Sequence, residues 1–497
     1  MSNLHSLSHY WPELILTATI LIGIIADLFY KPKDSGKTMY WIFGGLALTA
    51  FAVKLLSDSP AAILFMGTLA HDPFAWFFKM LIVLGTVIVL LMSGKSSELK
   101  NQSVGEYYVL IGIMVFGMFL MVSSIDMIMV YLAIEIVSLM SFILAGYLKN
   151  DKSSNEASLK YVIYGGFSSG IMLYGFSILF GLTGTTKLYE IGPALATLDG
   201  TANFAIMISA IFILAGFGYK ISAVPFHFWT PDVYEGSPTP VTAYLSVAPK
   251  AAGFALLIRF FSAVFGTGEN VAAGIIPVSS ALPWPQILAI LAVMTMTLGN
   301  LVAIQQESVK RMLAYSSIAH AGYMLMGLPM LSADGISAVM VYLVMYLFMN
   351  LGAFFIVMVV QAKMGGDSFS DFSGLGWEMP LLGVAMTLFM FSLTGIPPTA
   401  GFIGKYYLFA AVIQAGPSFY WLAFAGAVNS VISLYYYIRV IRQMYLEGER
   451  SETIQVPAFM TSLIILVLAI PTLVFGVYWA PIADWVSSSM VFAIPSM

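Results

Sequence analysis

The stretch Gly218–Lys250, GYKISAVPFHFWTPDVYEGSPTPVTAYLSVAPK, decides how the chain is read. It sets Lys220 and Lys250 in apolar surroundings on either side of a proline-broken segment, with His227 between them. A charged side chain at the centre of a bilayer costs at least about 2.5–3.5 kcal/mol, so two lysines at that depth need a reason. Pro225 interrupts a helix and frees backbone groups that lipid cannot satisfy, so the break must face protein or a wet cavity. Titratable amines beside a broken helix point to an ion path.

Composition places the stretch in a membrane. The chain has 497 residues, 60% of them hydrophobic and 9% charged, with a mean hydropathy of +0.90. A polytopic helical membrane protein needs that much apolar surface; a soluble fold does not. The net charge of −4 indicates no partner, and there is no basic face for nucleic acid. The lack of cysteine excludes thiolate-held iron–sulfur clusters, thiolate zinc sites and disulfides, and leaves the redox compartment open. The first residues, MSNLHSLSHYWPEL, lack a basic n-region, so no cleavable signal is expected.

Apolar windows of roughly 17–25 residues predict fourteen spans. They cover 12–30, 38–57, 73–93, 105–122, 125–148, 155–182, 203–230, 240–264, 286–304, 309–330, 336–362, 380–415, 418–442 and 457–479, the seventh and twelfth being broken. Basic residues test the count. Lys31, Lys33 and Lys37 follow span 1, Lys95 and Lys100 span 3, and Lys149, Lys152 and Lys160 span 5. Lys310 and Arg311 follow span 9, Lys363 span 11, and Arg439, Arg442 and Arg450 span 13. The other face has Lys54 and Lys187, with Arg259 near the end of span 8. By the positive-inside rule the first set is cytoplasmic and both termini lie outside, in a cell's inner membrane.

Span 7 breaks at Pro225 and span 12 at Ile396-Pro397-Pro398, and each carries a lysine at membrane depth, Lys220 and Lys405. An offset of five spans reverses the chain's direction, so spans 4–8 and 9–13 read as two inverted five-helix repeats, the layout of transporters with midplane sites. The expected fold is therefore all-α and polytopic. Its divisions are 1–100 (spans 1–3), 101–265 (first repeat), 266–445 (second repeat) and 446–497 (span 14).

Glu135 lies in the middle of span 5. It reads either as a carboxylate bonded to Ser or Thr between helices, or as the partner of a buried lysine, for which Lys220 is the natural choice. Lys250 follows Pro249 about ten residues into its span, too deep for simple snorkelling. Lys405 sits among Gly395, Gly401 and Gly404, which permit irregular backbone and close packing. His227 and His320 read either as satisfied core residues or as relays with a near-neutral proton affinity. Ser316, Ser317 and Tyr323 form a polar stripe with His320 that could hold water. Glu156 and Lys160 read as a solvated i,i+4 pair or as the mouth of an entry path. Lys79, Asp27 and Arg259 read as interfacial, and the methionines and tyrosines as filling. No Gly-rich nucleotide motif or metal cluster is present, and nothing beyond His227 and His320 supports a haem pocket.

VPFHFWTPDVYEGSPTPVTAYLSVAPKAAG (224–253), with LAIEIVSL upstream and LTGIPPTAGFIGKYYLF downstream, resembles the antiporter-like membrane subunits of proton-pumping NADH-quinone oxidoreductase, complex I. The resemblance covers spans 4–13. It is nearest to the subunit N group, because the chain ends soon after span 14 and carries a lysine at 405. It implies that Glu135 and Lys220 form the charge pair of an input half, Lys250 a central relay and Lys405 the output lysine. His227, His320, Glu156 and Lys160 would belong to a secondary proton path. It further implies no cofactor in this chain, with flavin and iron–sulfur clusters in partner subunits. The expected partners are other complex I membrane subunits (another antiporter-like one among them), the lipid bilayer and protons. The alternative readings are a subunit of a multi-subunit cation/proton antiporter with the same fold, and a membrane subunit whose lysines only hold the repeats together.

Overall fold

The computed structural model describes residues 3–100, 102–198, 200–265, 283–330, 332–448 and 454–493. The expected start of the second repeat at 266 and the basic marker Arg450 lie outside the described residues. Spans 1–3 become α1 (Trp11–Phe29), α2 (Thr38–Leu56) and α3 (Pro73–Ser93). Next come α4 (Val104–Ser123), α5 (Met127–Ala145), α6 (Lys152–Thr183), α7 (Asn203–Ile221), α8 (Trp229–Gly236) and α9 (Thr239–Phe265). The second set is α10 (Trp284–Ile304), α11 (Val309–Met326), α12 (Ala333–Met364), α13 (Pro380–Thr394), α14 (Ala400–Gln414) and α15 (Tyr420–Leu446), and α16 (Phe459–Val477) closes the bundle. A two-stranded hairpin, Ala62–Leu64 with Leu69–His71, joins α2 to α3.

Among the described residues twelve helical segments are long and apolar enough to cross a membrane. Two further crossings escape that criterion for opposite reasons. α11 has the length but carries Lys310, Arg311, His320 and four hydroxyl-bearing residues, whereas α13 and α14 are each half a span. Together they give the fourteen crossings expected from the sequence.

Both expected breaks are present, α7 to α8 and α13 to α14. In the first, Ser222 caps α7 with φ +64°. The freed backbone groups are bonded locally or by the other repeat: Ala223 N–H donates to Gly218 O at 2.7 Å and Val224 N–H to Thr295 Oγ1 of α10 at 3.0 Å. Helix resumes at Trp229 and runs to Gly236, past the predicted end at 230, because only Ser237-Pro238 stops it. α9, by contrast, passes through Pro249 without interruption.

In the second break Gly395 takes φ +91°, which L side chains avoid. Gly401 opens α14 so close to α13 that an added Cβ would stand 1.7 Å from Ser392 O. Gly401→Ala must therefore push the half-helices apart, an overpacking cost of about 1–3 kcal/mol or more. The expected result is reduced accumulation in the membrane and a lower melting temperature in detergent; an unchanged melt would show that the break relaxes freely.

α9 and α12 are the innermost helices, with nearly every side chain buried. The buried polar residues on them therefore face protein rather than lipid.

Candidate proton path

The three lysines singled out in the sequence are all inside the protein: Lys220 is 5% exposed, Lys250 1% and Lys405 4%. Among the described residues no carboxylate oxygen lies within 4.0 Å of any of these ammoniums. Their partners are neutral. Lys220 Nζ donates to Ser138 Oγ at 3.3 Å. Lys250 Nζ donates to Ser317 Oγ at 2.5 Å and Ser317 O at 3.0 Å. Lys405 Nζ donates to Thr394 O at 2.7 Å, the last carbonyl of α13, and to Ser430 Oγ at 2.9 Å. It also lies 4.4 Å from the centre of the Tyr323 ring, whose electron-rich face favours a cation.

Glu135 and Lys220 are not in ion-pair contact here. Glu135 accepts a hydrogen bond from Ser169 of α6, and Ser138, one turn along α5, takes the lysine instead. The two sites thus share one face of α5, since positions three apart are neighbours on a helix. Glu135 itself is only partly buried. Both readings of Glu135 keep their ground: it is bonded to a serine, and it stands one turn from the lysine's partner.

Beyond Lys250, α11 and its neighbours carry a group of hydroxyls and a histidine. Tyr234 of α8 and Tyr346 of α12 approach Ser317 Oγ, the group that Lys250 holds, without closing a hydrogen bond to it. The Lys250 ammonium lies 5.7 Å from the centre of the Tyr234 ring. One turn beyond Ser316 and Ser317 on α11 stands His320, with both ring nitrogens engaged. Nδ1 meets Tyr342 OH at 2.5 Å and Nε2 meets Tyr437 OH at 3.0 Å, and Tyr437 OH also meets Ser316 Oγ at 2.5 Å. A neutral imidazole bonded on both sides can take a proton at one nitrogen and release one from the other.

His227 is buried in the first break, but no hydrogen bond joins it to Lys220 or Lys250, and its Nδ1 has no partner among the described residues. The hydroxyls of Thr230, Tyr234 and Tyr346 and the side-chain oxygen of Asn350 are likewise buried and without a hydrogen-bond partner among the described residues. Buried polar atoms of this kind are normally satisfied by ordered water. Glu156 and Lys160 form the expected i,i+4 pair at 2.7 Å, but Lys160 also binds Asp232 of α8 at 2.6 Å.

Three tyrosines, Tyr342, Tyr346 and Tyr437, stand among these polar groups. Tyr342, Tyr346 and Asn350 lie four residues apart along α12, a buried polar stripe in the apolar middle of the helix. Asn350 reaches Ser246 of α9 at 2.6 Å, one turn before Lys250. Two residues read as interfacial are instead buried and paired: Lys79 with Glu13 at 2.5 Å, and Arg259 with Asp72 at 2.8 Å. Each lies near a span end in the sequence, but the neighbouring helices and the C-terminal segment cover it.

Two half-helix breaks five crossings apart, each beside a buried lysine, with a third lysine and a hydroxyl-lined histidine between them, define a polytopic ion-translocating membrane protein of the antiporter-like class. The chain belongs to the NADH:quinone oxidoreductase/Mrp antiporter membrane family, whose sequence model matches residues 124–433. It is 47% identical to NADH-quinone oxidoreductase subunit N 2 of Sorangium cellulosum over 99% of this chain and 98% of that protein. A chain of respiratory complex I from Thermus thermophilus superposes with a TM-score of 0.77 at 29% identity, covering 95% of this chain and 98% of that one. A chain of the Mrp complex from Dietzia sp. shares the fold, with a TM-score of 0.82 at 18% identity over 97% of both chains.

Proposed function

We propose that this chain is a proton-translocating subunit of the subunit N type in an NADH-quinone oxidoreductase, moving protons while redox chemistry proceeds in other subunits. Flavin and iron–sulfur clusters belong to those partners and none to this chain. The observation that carries the reading is Lys250: an ammonium sealed from solvent, without an acid partner, bonded to one serine and flanked by unpartnered hydroxyls. A lysine kept only to hold helices together would be expected to have its charge paired.

Protons enter from the basic, cytoplasmic face near Lys220, pass by His227 and water to Lys250, cross by Ser317, His320 and its two tyrosines, and leave by Lys405 to the side that holds both termini. Glu135 supplies the switch. Its half-open position suits a neighbouring membrane subunit, another antiporter-like one, whose rearrangement would move the carboxylate between Ser169 and the Lys220 site. Moving one charge against 100 mV costs about 2.3 kcal/mol, within the range of making or breaking such a pair.

Lys220→Ala and Glu135→Ala test this in the assembled complex. Proton pumping per NADH oxidised is expected to fall while the complex still assembles. Undiminished pumping in both would reject the assignment. Purification separates this reading from a stand-alone cation/proton antiporter: flavin and iron–sulfur subunits must accompany the chain.

A further inference from the structure

The end of α8 nearest the basic residues is gripped from α11. Lys310, 2% exposed, donates to two carbonyls at the C-terminus of α8, Glu235 O at 3.1 Å and Ser237 O at 2.7 Å. A cation there satisfies carbonyls that the helix leaves orphaned and meets the negative end of its dipole. Arg311, next in sequence, donates through Nη1 to Asp232 Oδ1 at 2.9 Å and to the Glu235 carboxylate, and through Nε to Gln306 Oε1 at 3.1 Å. Asp232 is shared: its other oxygen takes Lys160 of α6 at 2.6 Å.

Between the two gripped residues, Asp232 and Glu235, stands Tyr234. Its ring centre lies 5.7 Å from the Lys250 ammonium, and its hydroxyl is buried without a hydrogen-bond partner among the described residues. α8 has only eight residues, is preceded by the irregular segment 222–228 and is followed at once by Ser237-Pro238. Helix propensity alone cannot fix so short an element, so its position depends on contacts with neighbours. α6 belongs to the first repeat and α11 to the second, which makes Asp232 a carboxylate held by both.

We propose that Lys310, Arg311 and Asp232 are positioning residues: they clasp α8 between the two repeats and thereby hold Tyr234 against Lys250. The inference rests on the reading of Lys250 as a proton carrier. It assigns Lys160 and Asp232 to this clasp rather than to an open inlet. Because the two repeats share Asp232, a shift of one against the other is transmitted to the surroundings of Lys250.

The test uses the assembled complex in sealed vesicles, reading proton uptake and NADH oxidation together. Arg311→Gln, Asp232→Asn and Tyr234→Leu are each expected to lower protons moved per NADH by about threefold with NADH oxidation retained. Pairs of these changes are expected to do no more harm than one alone, as residues of one unit are non-additive. Arg311→Lys, which keeps a cation in reach of Asp232, is expected to recover most of the ratio. If Arg311→Gln fails to assemble, Arg311→Lys and Tyr234→Leu carry the test through the same ratio and the same double variant. A wild-type ratio in Arg311→Gln, a loss confined to Asp232→Asn and Lys160→Met, or additive losses would each overturn the clasp. Lys250→Met run alongside separates the two proposals: full pumping there defeats the proton-path reading, whereas its loss beside an intact Tyr234→Leu defeats only the clasp.

Discussion

Lys250→Met is expected to stop proton movement through this subunit, lowering its pumping rate at least about tenfold, while the complex assembles and oxidises NADH. Methionine is an unbranched chain of similar length, so the buried volume is nearly kept and the packing of α9 against α12 should survive. What disappears is the buried amine that this reading makes the carrier between the two halves. Burying an unpaired ammonium is costly, so the variant should melt no lower than the parent, and this separates loss of chemistry from loss of fold. Tenfold corresponds to ~1.4 kcal/mol in a barrier, a small demand on a site whose proton-carrying amine has been removed. Ser317→Ala should do less, because the backbone carbonyl of Ser317 still accepts from Lys250 at 3.0 Å. The measurement is acidification of sealed vesicles at matched NADH oxidation. Equal acidification by Lys250→Met and wild type would remove Lys250 from the path.

The sequence disclosed the two breaks and the three lysines because each violates a rule that lipid enforces: proline and charge do not belong at membrane depth without cause. It did not disclose the partners. Asp72 and Arg259 are 187 positions apart, and Lys310 meets carbonyls 73 and 75 positions away. Pairings at such distances leave no periodic trace, so Arg259 and Lys79 read as interfacial and Lys310 as a marker of orientation. The stripe Tyr342, Tyr346, Asn350 was in the sequence in principle, spaced at one turn along an apolar helix, but aromatic residues in a membrane protein are expected as packing and as interfacial belts. Glu135 was found, yet its contact in this structure is with Ser169, because serine hydroxyls on α5 and α6 compete for both members of the expected pair.

Asp72→Asn is expected to be the most damaging single change to stability. Asp72 is completely buried at the start of α3, where it caps the helix by accepting from Ala75 N at 2.8 Å. Both its oxygens take Arg259, at 2.8 Å each, and Oδ2 also accepts from Ala493 N at 3.0 Å. Arg259 in turn gives its Nε to Val122 O at 2.9 Å at the end of α4 and lies between the rings of Phe74 and Phe492. One carboxylate thus ties α3, α4, α9 and the C-terminal segment together. Burial pushes the Asp72 carboxyl up, but Arg259 and the backbone donors more than reverse this and leave it below the usual range. Its stabilisation is therefore present above the unfolded carboxylate value of about 3.9 and lost only as the pH falls below that. Asparagine can still cap α3, so the loss comes from the guanidinium, left charged with no anion in a dry site; breaking a buried pair in this way costs about 3–5 kcal/mol. Thermal melting in detergent should show a large fall for Asp72→Asn. The double variant Asp72→Asn with Arg259→Met should recover part of it, because the stranded charge is gone. Since Arg259 lies on the helix that carries Lys250, the single variant should also lower pumping wherever it still assembles. A melt indistinguishable from wild type would mean that water reaches this pair and that the end of α9 is held by its apolar neighbours alone.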